Sequence, residues 1–223
     1  MSIASLESLA SDDAHLRERC VSSREVYRGH FLEVYRDEIT LPDGGHTGRE
    51  YMRHPGAVMI IPLLDDGRLV MERQFRYPLD RAMLEFPAGK LEPGEPGIVC
   101  GVRELFEETG FTAREWAYAG QLHNAIAYCD EHIQIWFARG LQAGERRLDA
   151  GEFLDVFAAT SEELAGWVLD GRVTDAKTSI GLLWLQQWRA GAWPLTWRSA
   201  RDFEVEAQQG DSAADGSGLS SDA

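Results

Sequence analysis

The stretch from residue 96 to residue 111 constrains this 223-residue chain more than any other. Pro96 suits a first helical turn and Gly110 a C-terminal cap, so the spacing predicts a helix over 96–109. On that helix Glu104, Glu107 and Glu108 are three and four positions apart, and their carboxylates leave one face about a turn apart. The opposite face carries Val99, Val102, Leu105 and Phe106, which can anchor the helix in a core. Like charges so placed weaken a bare helix by roughly 0.2–0.5 kcal/mol per pair, so something must offset them. Two readings follow. The acids form a solvated face, with Arg103 and Glu107 as an ordinary i, i+4 pair, or they hold a hard dication, since Mg²⁺ takes carboxylate oxygens together with substrate phosphates.

The rest of the chain alternates strand and helix signals. Residues 31–40 and 47–53 flank Pro42-Asp43-Gly44-Gly45 and read as a hairpin. Residues 56–63 and 68–75 are apolar runs about an Asp65-Asp66-Gly67 turn, while 131–137 alternates with period two and 152–158 reads as a further strand. Thr160-Ser161-Glu162-Glu163 fits a capping box for a helix over 161–171. Another helix over 176–190 puts Ile180, Leu183, Trp184 and Trp188 on one stripe. Strands, a helix, more strands and two helices make a mixed α+β plan with helices covering a sheet. Residues 1–20 read as an arm, 21–55 as the hairpin region, 56–200 as the main domain and 201–223 as a disordered acidic tail.

The formal net charge is −15, and −9 without the six acids of residues 202–223. So acidic a body argues against a broad nucleic-acid surface, though not against a phosphate ligand held by a few local cations. No run of about 18 apolar residues predicts a transmembrane helix, and the N-terminus has no secretory pattern. Cys20, Cys100 and Cys129 are far apart and read as free thiols of a reducing compartment, hence a cytoplasmic location. The six histidines show no ligand spacing, and the late tryptophans (167, 184, 188, 193, 197) read as core or dimer packing.

Taken with its flanks, the helical segment resembles the Nudix hydrolase signature, Gly-x5-Glu-x7-Arg-Glu-U-x-Glu-Glu-x-Gly-U, where U is bulky and apolar. Gly89, Glu95, Arg103, Glu104, Leu105, Glu107, Glu108, Gly110 and Phe111 fill every fixed position. Glu85-Phe86-Pro87-Ala88-Gly89-Lys90 and the earlier Arg73-Gln74-Phe75-Arg76-Tyr77-Pro78 are similar to the ADP-ribose pyrophosphatase and nucleoside-diphosphate-sugar branch. The Ser-Pro-Gly sequence frequent in that group is not found at Asn124–Glu131, although the acid pair Asp130-Glu131 is present. The resemblance implies an α/β/α sandwich, a mixed sheet between helices, with an N-terminal hairpin extension that joins two copies in a homodimer. It implies hydrolysis of ADP-ribose or a related nucleoside-diphosphate sugar with two to three Mg²⁺ or Mn²⁺ ions. A Nudix-like sensor without turnover is the alternative from the binding class, and a hydrolase of another nucleotide (GDP-mannose, a dinucleotide or a triphosphate) is a third reading. Full retention of the motif acids favours an enzyme.

The resemblance also distributes roles. Glu104 and Glu108, with the Ala88 carbonyl, are the candidate metal ligands, and Glu107 ligates directly or through water. Glu95 and Arg103 read as the pair that locks a motif carboxylate. The general base falls on Glu152, in a glycine-bearing loop, with Glu107 as the fallback; a solvated loop acid is the other reading of Glu152. From their positions, Arg76 after a strand is a candidate phosphate clamp and Arg49 after the hairpin a candidate nucleotide contact, with surface ion pairing the plainer reading of each. Arg53 reads more simply as a surface ion pair. Glu131 is the candidate for ribose hydroxyls and Phe31 for stacking on the base.

Overall fold

The computed structural model describes residues 13–215. They divide into two compact units, one running to His54 and including Ala125–Asp130, the other taking Pro55–Asn124 and the chain from Glu131 onward.

The first unit is an antiparallel sheet of β1 (Arg19–Arg28), β2 (Glu33–Thr40) and β3 (His46–Arg53) in that spatial order. The expected hairpin is β2–β3, closed at Pro42–Gly45, where the Asp43 carboxylate accepts from the Gly45 amide at 2.9 Å. Tyr35 stacks on its cross-strand partner Tyr51, and the Arg53 guanidinium lies 4.0 Å over the Tyr35 ring. The strand β1 lies where an arm was expected to end. All ten of its residues are exposed, so no apolar alternation marks it in the sequence. Among the described residues of this unit, Ile39 is the only buried hydrophobic one.

The second unit holds a mixed seven-stranded sheet. Its main order is β10 (Leu154–Ala159), β5 (Leu69–Arg76), β4 (Ala57–Leu63), β9 (His132–Ala143), β8 (Phe111–His123). The short strands β6 (Arg81–Glu85) and β7 (Ala88–Lys90) pair with β5 and β4. Only β4 and β9 run parallel. Every residue of β4 is buried, as a central strand covered on both faces requires. On one face Met59, Ile61, Met71, Phe86 and Phe137 pack against α2 (Ser161–Leu169) and α3 (Ala176–Arg189). On the other, Val58, Ile60, Trp116 and Trp136 pack against α1 (Gly97–Thr109) and α4 (Ala200–Asp215). This is the α/β/α sandwich.

The helix ends follow from the sequence. Thr160 and Glu163 form the capping box of α2, and the Asp175 carboxylate caps α3 by accepting from the Thr178 amide. One expectation fails: residues 200–215 are helical, not disordered. Acidic composition hid an anchor, for Phe203 of α4 meets Trp136 edge-to-face at 4.9 Å, and Ser199 and Asp202 bond across the first turn. The final eight residues of the expected tail, and the first twelve of the expected arm, lie outside the described residues.

Candidate active site

The signature residues converge within the second unit, where α1 crosses the strand β7. Gly89 makes that approach possible. A Cβ placed there would sit 1.8 Å from the Glu104 carboxyl group, so only glycine lets this carboxylate lie against the strand. One position earlier, the Ala88 amide donates to Glu108 Oε2 at 3.1 Å.

Arg103 organises one side of the cluster. It grips Glu95 with two hydrogen bonds of 3.0 and 2.9 Å and donates through Nη1 to Glu104 at 2.7 Å and Glu107 at 3.1 Å. The bond to Arg103 holds Glu95 below the usual carboxylate range. Burial raises Glu104, and Arg103 only partly counters it.

Glu108 behaves differently. It is buried and hydrogen-bonded to a second buried carboxyl, Glu72 of β5. Two carboxyl groups share a hydrogen bond only when one carries the proton. Burial drives both upward, and the charges of Glu72, Glu104 and Glu152 push Glu108 further. Glu72 Oε1 is buried and accepts from no N–H or hydroxyl donor. Opposite Glu72 across the ladder stands Glu85, also buried. Burial raises this group, but the combined pull of Arg76 and Lys177 exceeds it and leaves Glu85 below its ordinary value.

Among the described residues, no three His, Cys, Asp or Glu side chains converge as a closed ligand set. The reason lies in the bonds just described: Arg103 draws Glu104 and Glu107 to one side, while Glu108 turns to the Ala88 amide and Glu72. The chemistry of the donors nevertheless fits a hard dication. All are oxygens, they carry more negative charge than the neighbouring cations neutralise, and one buried oxygen accepts from no N–H or hydroxyl donor.

The other expected residues fall in several places. Arg76 is bound to Glu85 through two bonds of 2.7 and 2.8 Å, so this cation is engaged. Half-buried Glu152 lies in the loop before β10, close enough for its charge to raise Glu104 and Glu108. Half-buried Glu131 immediately precedes β9 and accepts from Asn124 at 3.5 Å. Arg49 and Phe31 belong to the first unit, where Arg49 pairs with Glu18 and the Phe31 ring meets His54 edge-on at 5.4 Å. Sequence reasoning passed over Glu72, Asp175, Lys177 and Thr178. A carboxylate directly after the apolar run Leu69-Val70-Met71 was the available signal for Glu72, because a charge in a buried strand calls for a partner.

Residues 52–180 match the NUDIX domain family, and residues 18–52 match the family described as the nucleoside diphosphate sugar hydrolase N-terminal domain. The ADP-ribose pyrophosphatase of Bacillus subtilis (strain 168) is 36% identical over 77% of this chain and 94% of its own. The methanol dehydrogenase activator of Bacillus methanolicus is 34% identical over 76% of this chain and 92% of its own. A crystal structure of an ADP compounds hydrolase superposes with a TM-score of 0.72 at 25% identity, covering 79% of this chain and 96% of that one.

Proposed function

We propose, for a chain that belongs to the Nudix hydrolases and is similar to ADP-ribose pyrophosphatases, that it cleaves the diphosphate of ADP-ribose or a related nucleoside-diphosphate sugar with Mg²⁺ or Mn²⁺. ADP-ribose and water would give AMP and ribose 5-phosphate. The observation that carries the reading is the crowding of half-buried Glu104 against the buried Glu108 and Glu72, with too few cations to neutralise them.

Glu104, Glu108 and the Ala88 carbonyl would hold two to three dications, with Glu107 ligating directly or through water. Bound there, the metal would neutralise the diphosphate and lower the pKa of a bound water. The protein's own share is positioning. Arg103 holds Glu104 and Glu107 at fixed rotamers, braced by Glu95. Glu152, within electrostatic reach of the cluster, takes the proton of the attacking water, and Glu107 is the reserve base. Arg76, on the free side of its pair with Glu85, is the candidate phosphate contact. Glu131, Arg49 and Phe31 remain candidates for the ribose and base.

A homodimer is part of this reading. The three-stranded sheet of the first unit buries a single hydrophobic residue and leaves Val21, Val26 and Tyr27 of β1 exposed, which suits a surface covered by a second copy. The described cysteines are all unbridged, in keeping with a cytoplasmic enzyme, and no described helix is long and apolar enough to cross a membrane.

The test is a panel of ADP-ribose, GDP-mannose, dinucleotides and triphosphates with Mg²⁺, followed by chromatography of the products. AMP from ADP-ribose is expected. Tight ADP-ribose binding with no turnover of any compound would replace the enzyme by a sensor.

A further inference from the structure

The start of α3 reaches into the site from the sheet face opposite α1. Its capping residue Asp175 accepts from the Thr178 amide at 2.9 Å and from Lys177 Nζ at 3.1 Å. Lys177, only 9% exposed, continues to the buried Glu85 carboxylate. Thr178 is fully buried, and its hydroxyl oxygen accepts from the Phe86 amide at 3.1 Å. Two consecutive residues of α3 thus hold two consecutive residues of the strap Glu85-Phe86-Pro87-Ala88-Gly89.

The other end of the strap meets the signature helix. The Pro87 carbonyl accepts from the Ile60 amide at 2.9 Å, which fixes the strap to β4. Ala88 then donates to Glu108, and Gly89 lies flush against Glu104. The helix α3 itself has little room to shift. A Cβ at Gly181 would come 2.7 Å from Met59 and 3.2 Å from Phe86, so the helix rests directly on the strap's own phenylalanine. The path from Thr178 to Glu108 is therefore continuous, through two peptide units and two hydrogen bonds, each from a backbone amide to a side chain.

We propose that Lys177 and Thr178 are positioning residues for the metal cluster: they set where the strap presents Ala88 and Gly89, and so determine how Glu104 and Glu108 receive a dication. This rests on the reading of Glu104 and Glu108 as metal ligands. Groups that orient metal-binding groups without touching the ion typically change affinity or activity by about 10- to 100-fold when removed. Thr178→Val keeps the shape and deletes the acceptor, leaving the Phe86 amide buried and unpaired. Lys177→Met keeps the stem and deletes one of the two cations on Glu85.

The experiment titrates Mn²⁺ into substrate-free protein and follows free Mn²⁺ by electron paramagnetic resonance. Steady-state kinetics at saturating Mn²⁺ and thermal melts of the metal-free proteins accompany it. Thr178→Val and Lys177→Met are expected to weaken Mn²⁺ binding by about 10- to 100-fold. With the metal saturating, KM for the nucleotide should stay near wild type. Thr178→Ser, which keeps the hydroxyl, should restore Mn²⁺ affinity. Leu183→Ala, on the exposed side of α3, should bind Mn²⁺ as wild type does. If folded Thr178→Val and Lys177→Met bind Mn²⁺ as tightly as wild type, the positioning role is overturned while the metal reading stands. Should Thr178→Val fail to fold, wild-type affinity in Lys177→Met overturns it alone. If wild-type protein binds no Mn²⁺, the ligand assignment falls and this inference falls with it.

Discussion

Replacing Gly110 by alanine separates two roles of the last glycine in the signature. Gly110 caps α1 in the left-handed region at φ 75°, and Gly191 follows α3 at φ 73°. An L side chain in that region costs about 1–2 kcal/mol. At Gly191 nothing lies within 4 Å of an added Cβ, so the conformational cost is the whole effect. At Gly110 the Cβ would meet backbone: the Gly144 carbonyl oxygen at 2.7 Å and the Arg146 nitrogen at 2.9 Å. Backbone cannot swing aside as a side chain does, and overpacking of this kind adds about 1–3 kcal/mol. At roughly 2–4 °C per kcal/mol for a chain of this size, Gly191→Ala should lower Tm by about 4 °C and Gly110→Ala by about 10 °C. Differential scanning calorimetry of the two variants side by side reads the difference. The clash has a second consequence. The segment meeting Gly110 bonds to α1 through Gly144 N to Gly110 O (2.8 Å) and Arg147 N to Glu107 O (3.1 Å), and it leads into Glu152. Gly110→Ala should therefore lower kcat well beyond Gly191→Ala, because the loop acid is displaced while the nucleotide contacts are not. Tm shifts within about 2 °C of each other would refute the steric argument.

Three further outcomes test the cluster. Glu108→Gln should cut turnover by about 100-fold or more without lowering the metal-free Tm, since glutamine mimics the protonated carboxyl; near-normal turnover would remove Glu108 from the ligands. Glu152→Gln should lower kcat by roughly 100- to 10,000-fold and leave Mn²⁺ affinity unchanged, and unaltered turnover would move the base to Glu107. Glu72 and Glu108 are both raised in the folded state by burial, so the native protein binds more protons than the unfolded chain once pH exceeds the ordinary carboxylate range. As far as these two groups set it, stability of the metal-free protein should therefore be full at and below about pH 4 and fall as pH rises from there towards their raised values. Glu72→Gln should flatten that slope in urea titrations at a series of pH values, and an unchanged slope would count against the shared proton.

What could be read from the chain, and what could not, divides along the range of the interactions involved. The helix α1, the hairpin β2–β3 and the capped start of α2 depend on neighbours within a few residues, and cap, turn and period-two signals locate them. Strand β8 escaped because a register shift at Tyr118/Gly120 breaks its alternation, and α4 because its one aromatic anchor is outweighed by acids in any composition count. The site divides in the same way. Glu95, Arg103, Glu104, Glu107 and Glu108 lie within one loop and helix, and their spacing alone suggests joint chemistry. Glu72 reaches Glu108 only because β5 and α1 are brought together by the sheet, and Lys177 reaches Glu85 across 92 residues of chain. No local pattern marks a residue whose partner is so distant. What marks it is cost: a carboxylate in a buried strand or an ammonium in a buried helix turn is too expensive to leave alone, so its presence implies an opposite charge or an ion nearby. By that criterion Lys177 is accounted for by Glu85 and Asp175, whereas Glu72 has another acid beside it and feels Arg76 and Lys177 too weakly to offset its burial, which is the environment a bound cation would relieve.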